Sequence, residues 1–431
     1  MRKARLWARL VGIEKAVVER VVFDEGEAVV VVWVRPARGQ RHRCGVCRRR
    51  APGYDQGDGR RRWRALDLGR VRVFVEADAP RVCCPRHGIV VAAVPWARHG
   101  AGHTYAFDEQ VAWLATQCSK TAVTQLMRVS WRTVGAIVAR VWADVDSLVD
   151  RLAGLRRIGI DEISWKKGHK YLTVVVCHDS GRLVWASSGR DRATLRAFFT
   201  ALGPARSAQI THVSADGANW IADVVARHSP TALVCADAFH VVSWATDALD
   251  QVRRQVWNLA RHAVGGSKRH VQGPGRITQR AVGEARMLKR CRWALWKNPD
   301  TLTEQQSAKL AWIAKTSPVL YRAYLLKEGL RAVFHIAKVS PDDAVVALDR
   351  WIGWARRSRI SAFVALQRRI TAHRTAILAT ISHGLSNGRI ESMNTKIRLI
   401  TRMAFGFHCA DALIALALLS LGGHRPTLRS R

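Results

Sequence analysis

The sequence predicts a multidomain α/β protein: a β-rich segment, then a pair of helices, then a mixed α/β core interrupted by a long helical insertion. Three observations carry that expectation. Runs of β-branched residues broken by Gly, Pro and Asp fill residues 1 to about 95. Between about 155 and 237, three short apolar strands are followed by helix, strand, helix and strand, the order of a mixed sheet. From about 241 to 380 the apolar spacing becomes helical, in a stretch rich in Arg and Trp.

Composition narrows the function. The chain has 431 residues and is 48% hydrophobic, enough for several domains with real cores. Its formal net charge is +37, which calls for a polyanionic partner, most simply nucleic acid. The charge is spread along the chain and not gathered on one amphipathic helix, which argues against a membrane-surface role. No apolar run approaches the roughly 20 residues that span a bilayer. The basic opening MRKARLWARLVGIEK has no long apolar stretch or cleavage signal, which argues against export. Nine cysteines, an odd number, speak against a disulfide framework and for a reducing cytoplasm.

In the first segment, VVERVVFDEGEAVVVVWVRP and GRVRVFVEADAPRVCC read as strands. Cys44-Gly-Val-Cys47 and Cys84-Pro-Arg-His87 each set two soft ligands two residues apart, so two tight turns aim four side chains at one ion. Four protein ligands close a tetrahedral zinc shell, which makes the site structural and part of folding. Cys83, next to Cys84, is the reserve ligand. Arg41, Arg43, Arg48, Arg49 and Arg50 flank the knuckle and suit phosphate. VPWARHGAG (94–102) reads as a linker.

Residues 119–145 read as a helix-turn-helix. Ala122, Val123 and Leu126 form one apolar face, Arg128-Val129-Ser130 breaks the period, and Ser130 caps a second helix with Val134, Ile137, Val138 and Val141 inward. Trp131, Arg132 and Thr133 then stand near the start of the second helix, where a major groove is read.

The core carries acids at strand-like positions. Asp161 ends the apolar run IGID, and Asp216 ends THVSAD before Gly217. On neighbouring strands two such carboxylates repel unless a divalent cation joins them, and oxygen-only ligands favour Mg²⁺ or Mn²⁺. A third acid completes a two-metal site with ions about 4 Å apart. Glu391 suits it: SNG (386–388) caps and turns, and Arg389 to Arg402 continues as a helix whose Glu391, Thr395, Arg398 and Arg402 share a stripe. Asp237, with His240 beside it in CADAFHVV, competes with Asp216 for the second position, His240 orienting a ligand or water. Glu162 points to the opposite face of the strand. The long stretch from Asp216 to Glu391 implies a helical insertion. Residues 264–298 hold nine Lys or Arg and one acid, Glu284. Within that stretch VGGSKRHVQGPGR (264–276) reads as a flexible basic loop, and Trp293 and Trp296 either pack in a core or stack on a distorted base.

At CGVC…RVCCPRHG, SWRTVGAIVARV, IGIDEISWKKGHKYLTVV, ADAFHVV and SNGRIESMNTKIRLITRMAFGF the chain resembles bacterial insertion-sequence transposases of the IS-L-three family. The match spans about 44 to 407. Cys83 departs from it, since a basic residue is expected before the Cys-Pro turn. The resemblance implies a zinc ribbon, a helix-turn-helix and an RNase H-like core with a D-D-E triad at Asp161, Asp216 and Glu391. It implies Mg²⁺-dependent cut-and-paste transposition: a phosphodiester at the element's end is cut to free a 3′-OH, which then attacks target DNA. The domains fall at 1–95, 103–148 and 155–431, with the insertion at about 258–380. The DNA-contacting set is Trp131, Arg132, Thr133, Arg389, Lys396, Arg398 and Arg402. The partner is double-stranded DNA, both transposon ends and target, on the cytoplasmic nucleoid, and pairing of two ends implies a homodimer or larger. The competing reading is a zinc-dependent sequence-specific DNA-binding regulator derived from a transposase, without cleavage.

Overall fold

The computed structural model describes residues 2–215, 219–267, 276–385 and 388–427. It divides into two compact units, Met1–Arg151 with Ile397–Arg431, and Leu152–Lys396.

The first unit opens on a helix, Arg2–Leu10, inside the segment expected to be β-rich. Its Trp7 and Ala8 pack against the core that Val11 and Ile13 enter. The alternating valines form a four-stranded sheet in the order Ala16–Asp24, Val29–Pro36, Arg72–Asp78, Arg60–Arg64. The stretch 94–102 is coil in backbone but is no free linker. Trp96 and Ala97 are buried with Trp63, whose ring meets Trp96 edge-on at 5.6 Å. Its Gly, Pro and Arg content hides that the tryptophan must be covered. Next to it a three-stranded sheet, Gly53–Asp55, Arg81–Cys84 and Gly88–Val91, carries the second half of the zinc knuckle.

Three helices follow, Tyr105–Gln117, Lys120–Met127 and Trp131–Leu148. Thr104, Ser119 and Ser130 cap them, each hydroxyl accepting from the N–H three residues on. The turn between the second and third passes through Arg128 in the left-handed region, φ 52°. Asp108, fully buried, holds the group together through Arg98 at 3.2 Å and Arg140 at 3.2 Å. The apolar helix Ala410–Leu421 packs on the first and third of these helices.

In the second unit the sheet runs, in spatial order, Leu183–Ser188, Lys170–Cys177, Arg157–Lys166, His212–Ala215, Leu233–Ala236. The first three are antiparallel neighbours and the last two run parallel to Arg157–Lys166. Helices Arg192–Leu202 and Asn219–His228 belong to this layer, with Leu195, Phe198, Phe199, Ile221 and Val225 closing the core over Ile158, Ile160 and Val213. A helical array then runs from Ala238 to His383 around its own core, which includes Leu326, Leu330, Leu348, Phe363 and Ile377. Of the expected basic loop 264–276, helix Ala238–Ser267 takes the first residues, helix Arg276–Arg290 the last, and 268–275 lie outside the described residues. Helix Gly388–Met403 follows.

Candidate functional site

Asp161 sits in the middle of strand Arg157–Lys166, opposite Val174, and not at its end as the apolar run suggested; the strand continues because Ile163 is buried as well. Strand alternation gives it two faces. Ile158 and Ile160 enter the core, while Gly159 and Asp161 meet helix Gly388–Met403. Gly159 permits the approach: a Cβ there would lie 2.1 Å from Cδ1 of the buried Ile390. One turn further along the helix, Asn394 donates from Nδ2 to Asp161 Oδ2 at 2.7 Å. Glu391 precedes Asn394 by three residues, so it shares that side of the helix, and it is exposed. Arg389 donates to the backbone carbonyl of His178, seating the start of the helix. Arg389, Lys396, Arg398 and Arg402 are all exposed. Glu162, on the opposite face, pairs with Arg190.

Asp216 lies outside the described residues, as do Ser386 and Asn387 of the expected cap. The strand before Asp216, His212–Ala215, runs parallel and next to Arg157–Lys166. Asp237 is buried at the entrance to helix Ala238–Ser267, where its Oδ1 accepts from Phe239 N at 3.2 Å and its Oδ2 meets His240 Nδ1 at 2.9 Å. It follows strand Leu233–Ala236, two strand spacings or roughly 10 Å from the Asp161 strand. Asn394 went unnoticed in the sequence, because a neutral amide leaves no charge or ligand-spacing signal.

In the helix pair, Val134, Ile137, Val138 and Val141 are buried as expected. The buried face of the preceding helix is Val123 and Met127; Ala122 and Leu126, one residue earlier, point about 100° away and are exposed. Trp131 is 42% exposed with Lys120 Nζ 5.6 Å from its ring centroid, and Arg132 is exposed. Thr133 is tied into the cap, its hydroxyl 2.9 Å from that of Ser130.

The four candidate zinc ligands converge, with all ligand atoms of Cys44, Cys47, Cys84 and His87 within 4.8 Å of one another. Cys47 Sγ lies 3.8 Å from Cys84 Sγ, and Cys44 and Cys84 Sγ each lie 3.6 Å from His87 Nδ1. Tetrahedral zinc with Zn–S near 2.3 Å sets its ligands roughly 3.7 Å apart, so the donor set fits. Burial pushes the Cys44 thiol up, whereas the Arg86 N–H, assisted by His87, draws Cys84 down to about 6. Cys83 is on the other side of its strand, exposed. Arg38, Arg41, His42 and Arg50 line a groove of about 810 Å³ beside the knuckle. Arg43 is instead spent on the backbone carbonyls of Gly39 and Arg48. In the helical array, Trp296 packs on the core and Trp293 is 60% exposed.

Models of known families match three successive stretches of the chain. A model of the zinc finger of transposases IS204/IS1001/IS1096/IS1165 matches residues 40–87, which include all four ligands. A helix-turn-helix domain of transposase family ISL3 matches 92–142, and the ISL3 DDE transposase model matches 158–417. The chain belongs to the ISL3 transposase family. It is 61% identical over 439 residues to the transposase for insertion sequence element IS1557 of Mycobacterium tuberculosis, in strains CDC 1551 / Oshkosh and ATCC 25618 / H37Rv alike, covering 100% of this chain and 98% of the relative. It is 28% identical over 350 residues to the transposase for IS1001 of Bordetella parapertussis, covering 80% and 81%. This ISL3 protein is thus a DDE-type DNA transposase with a zinc ribbon and a helix-turn-helix, and the regulator reading is not favoured. Among the described residues, no helix is long and apolar enough to cross a membrane.

Proposed function

We propose that this transposase cuts its element's ends and joins them to target DNA through Asp161, Asp216 and Glu391, on an RNase H-like core. The observation that carries this is the seating of the Glu391 helix on the Asp161 strand, through Ile390 over Gly159 and Asn394 on Asp161. The sheet order, three antiparallel strands followed by two parallel ones, supports the RNase H-like assignment. The parallel neighbour leading into Asp216 supports it over Asp237, whose carboxylate is engaged by Phe239 N–H and His240.

The donors on offer are oxygens only, which fits Mg²⁺ or Mn²⁺ and not zinc. Bound there, the cation would stabilise the attacking and leaving oxygens of in-line phosphodiester displacement. The chain's own part is to orient. Asn394 holds Asp161, Arg389 anchors the Glu391 helix, and Lys396, Arg398 and Arg402 with Arg389 hold the phosphate backbone. Trp131, Arg132 and Thr133 open the helix that reads the element's end, and the zinc ribbon adds its arginine groove. The functional division is 1–95, 103–148 and 155–431, with the insertion at about 258–380. Pairing two ends calls for a homodimer or larger assembly on DNA, at the nucleoid.

The test pairs binding with cleavage on a fragment carrying the element's end. Glu391→Gln should retain end binding and lose Mg²⁺-dependent nicking by about 10²–10³-fold, the order expected when one transition-state stabilising group is removed. Asp216→Asn should match it, and Asp237→Asn should lose less. Tight binding without nicking by the unaltered protein in Mg²⁺ or Mn²⁺ would return the regulator reading.

A further inference from the structure

We propose that Asn394 is a positioning residue of the cleavage site: its amide nitrogen fixes the Asp161 carboxylate, and its carbonyl oxygen is offered to the divalent cation or the cation's waters. This rests on the carboxylate reading above and extends it by a residue that is not an acid.

The amide orientation follows from chemistry. An ionised carboxylate only accepts hydrogen bonds, so the atom 2.7 Å from Asp161 Oδ2 must be the NH₂ of Asn394. The carbonyl Oδ1 is then turned elsewhere. It is buried and has no hydrogen-bond partner among the described residues. Asn394 is 4% exposed, so bulk water does not serve that oxygen. A buried carbonyl without a donor is uncommon in folded proteins and costs stability. Asn is also a poor helix former, and it stands here in the second turn of helix Gly388–Met403. Leucine at 394, with the same number and branching of side-chain heavy atoms, would avoid both penalties. A bridge between helix and strand does not require the amide either, because Ile390 against Gly159 already seats the helix.

The remaining explanation uses both ends of the amide. Glu391, three residues earlier, lies on the same side of the helix. One turn of helix thus carries a carboxylate and a neutral oxygen on one side, the side on which Asn394 meets Asp161. Hard cations take carboxylate and side-chain amide oxygens alike. Groups that orient such ligands typically change metal affinity 10- to 100-fold when removed.

Asn394→Ala and Asn394→Leu would be prepared in the full chain, with DNA affinity and melting temperature as controls. Manganese binding to the protein–DNA complex, followed by loss of the free Mn²⁺ paramagnetic resonance signal, reports the site without any reaction. We expect both variants to bind Mn²⁺ 10- to 100-fold more weakly and to need correspondingly more Mg²⁺ for half-maximal nicking, with partial recovery at high metal. Asn394→Leu should melt no lower than the parent, which separates site assembly from packing. Mn²⁺ affinity and Mg²⁺ demand within twofold of the parent in both variants would overturn the role of Asn394. If the parent itself nicks no end DNA in either metal, the carboxylate reading falls, and Asn394 falls with it.

Discussion

His178 is a histidine kept neutral by its surroundings. Burial first, then the Arg389 and Arg157 cations, push its pKa down to about 4, against a weaker pull from Asp179. Its Nε2 lies 2.6 Å from the buried Ser214 hydroxyl, tying the strand that leads into Asp216 to the end of Lys170–Cys177, two strands away across Arg157–Lys166. A histidine whose folded pKa lies below its free value takes up a proton more readily in the unfolded chain. The stability it contributes is therefore complete above pH about 6.5 and is lost as pH falls towards 4, about 3 kcal/mol in all. Burial moves His99, His103, His212 and His373 the same way, so the acid sensitivity is shared. Urea unfolding at pH 7.5 and pH 5 should show the loss, and His178→Gln should flatten the slope; an unchanged slope would assign it to the other histidines. At this scale the charged residues were legible and the neutral ones were not. Asp161 announces itself by interrupting an apolar run, whereas Asn394 and Ser214 carry no charge and no spacing to mark them.

Whole elements were easier to read where side-chain period and burial coincide. The strands Lys170–Cys177 and Leu183–Ser188 are dense in β-branched or apolar residues, and the helices Arg192–Leu202 and Asn219–His228 have clean amphipathic spacing. Helix Arg2–Leu10 escaped because only Trp7 and Ala8 mark its inner side, and the Val123/Met127 face was displaced by one residue because an eight-residue helix offers too few turns to fix its phase. One element carries a cost the sequence does not explain locally. The hairpin after Asp161 reads WKKGHK (165–170), with Lys166 directly across the strands from Lys170 and Lys167 and His169 in the turn, all four exposed. Like charges directly opposite destabilise a hairpin. The tip is five residues beyond Asp161, roughly 17 Å, which a DNA strand covers in about five nucleotides. An anionic backbone lying there would relieve the repulsion. Lys166→Thr with Lys170→Thr should therefore stabilise the free protein by about 0.2–1 kcal/mol and weaken DNA binding, lowering the salt slope by about 0.9 for each phosphate contact removed. Melting temperature and fluorescence anisotropy at several salt concentrations test both signs; an unchanged slope would take the hairpin off the DNA path.

Over the whole molecule the same conflict appears in the net charge of +37. Self-repulsion of that size opposes the compact state, and the hydrophobic cores around Ile158 and around Leu326 in Leu152–Lys396, together with the core around Val32, Trp63 and Trp96, must hold against it. The zinc knuckle adds little apolar burial of its own, only Cys44, Ala51, Val82 and Cys84 with a few half-buried neighbours, so its folding leans on the metal. Salt should then act in opposite directions on the two functions of the charge. Screening falls off within about 8 Å at physiological ionic strength, so added salt weakens repulsion among the surface arginines and should raise the melting temperature of the free protein. The same salt competes with the counterion release that drives binding. A footprint of 6–10 phosphates predicts a loss of about 10³–10⁵ in DNA affinity between 50 and 200 mM. Calorimetry of the free protein and anisotropy of the complex, run in the same buffers, should give slopes of opposite sign. Slopes of the same sign would mean that the excess positive charge is spent on ion pairs within the fold and not held in reserve for DNA.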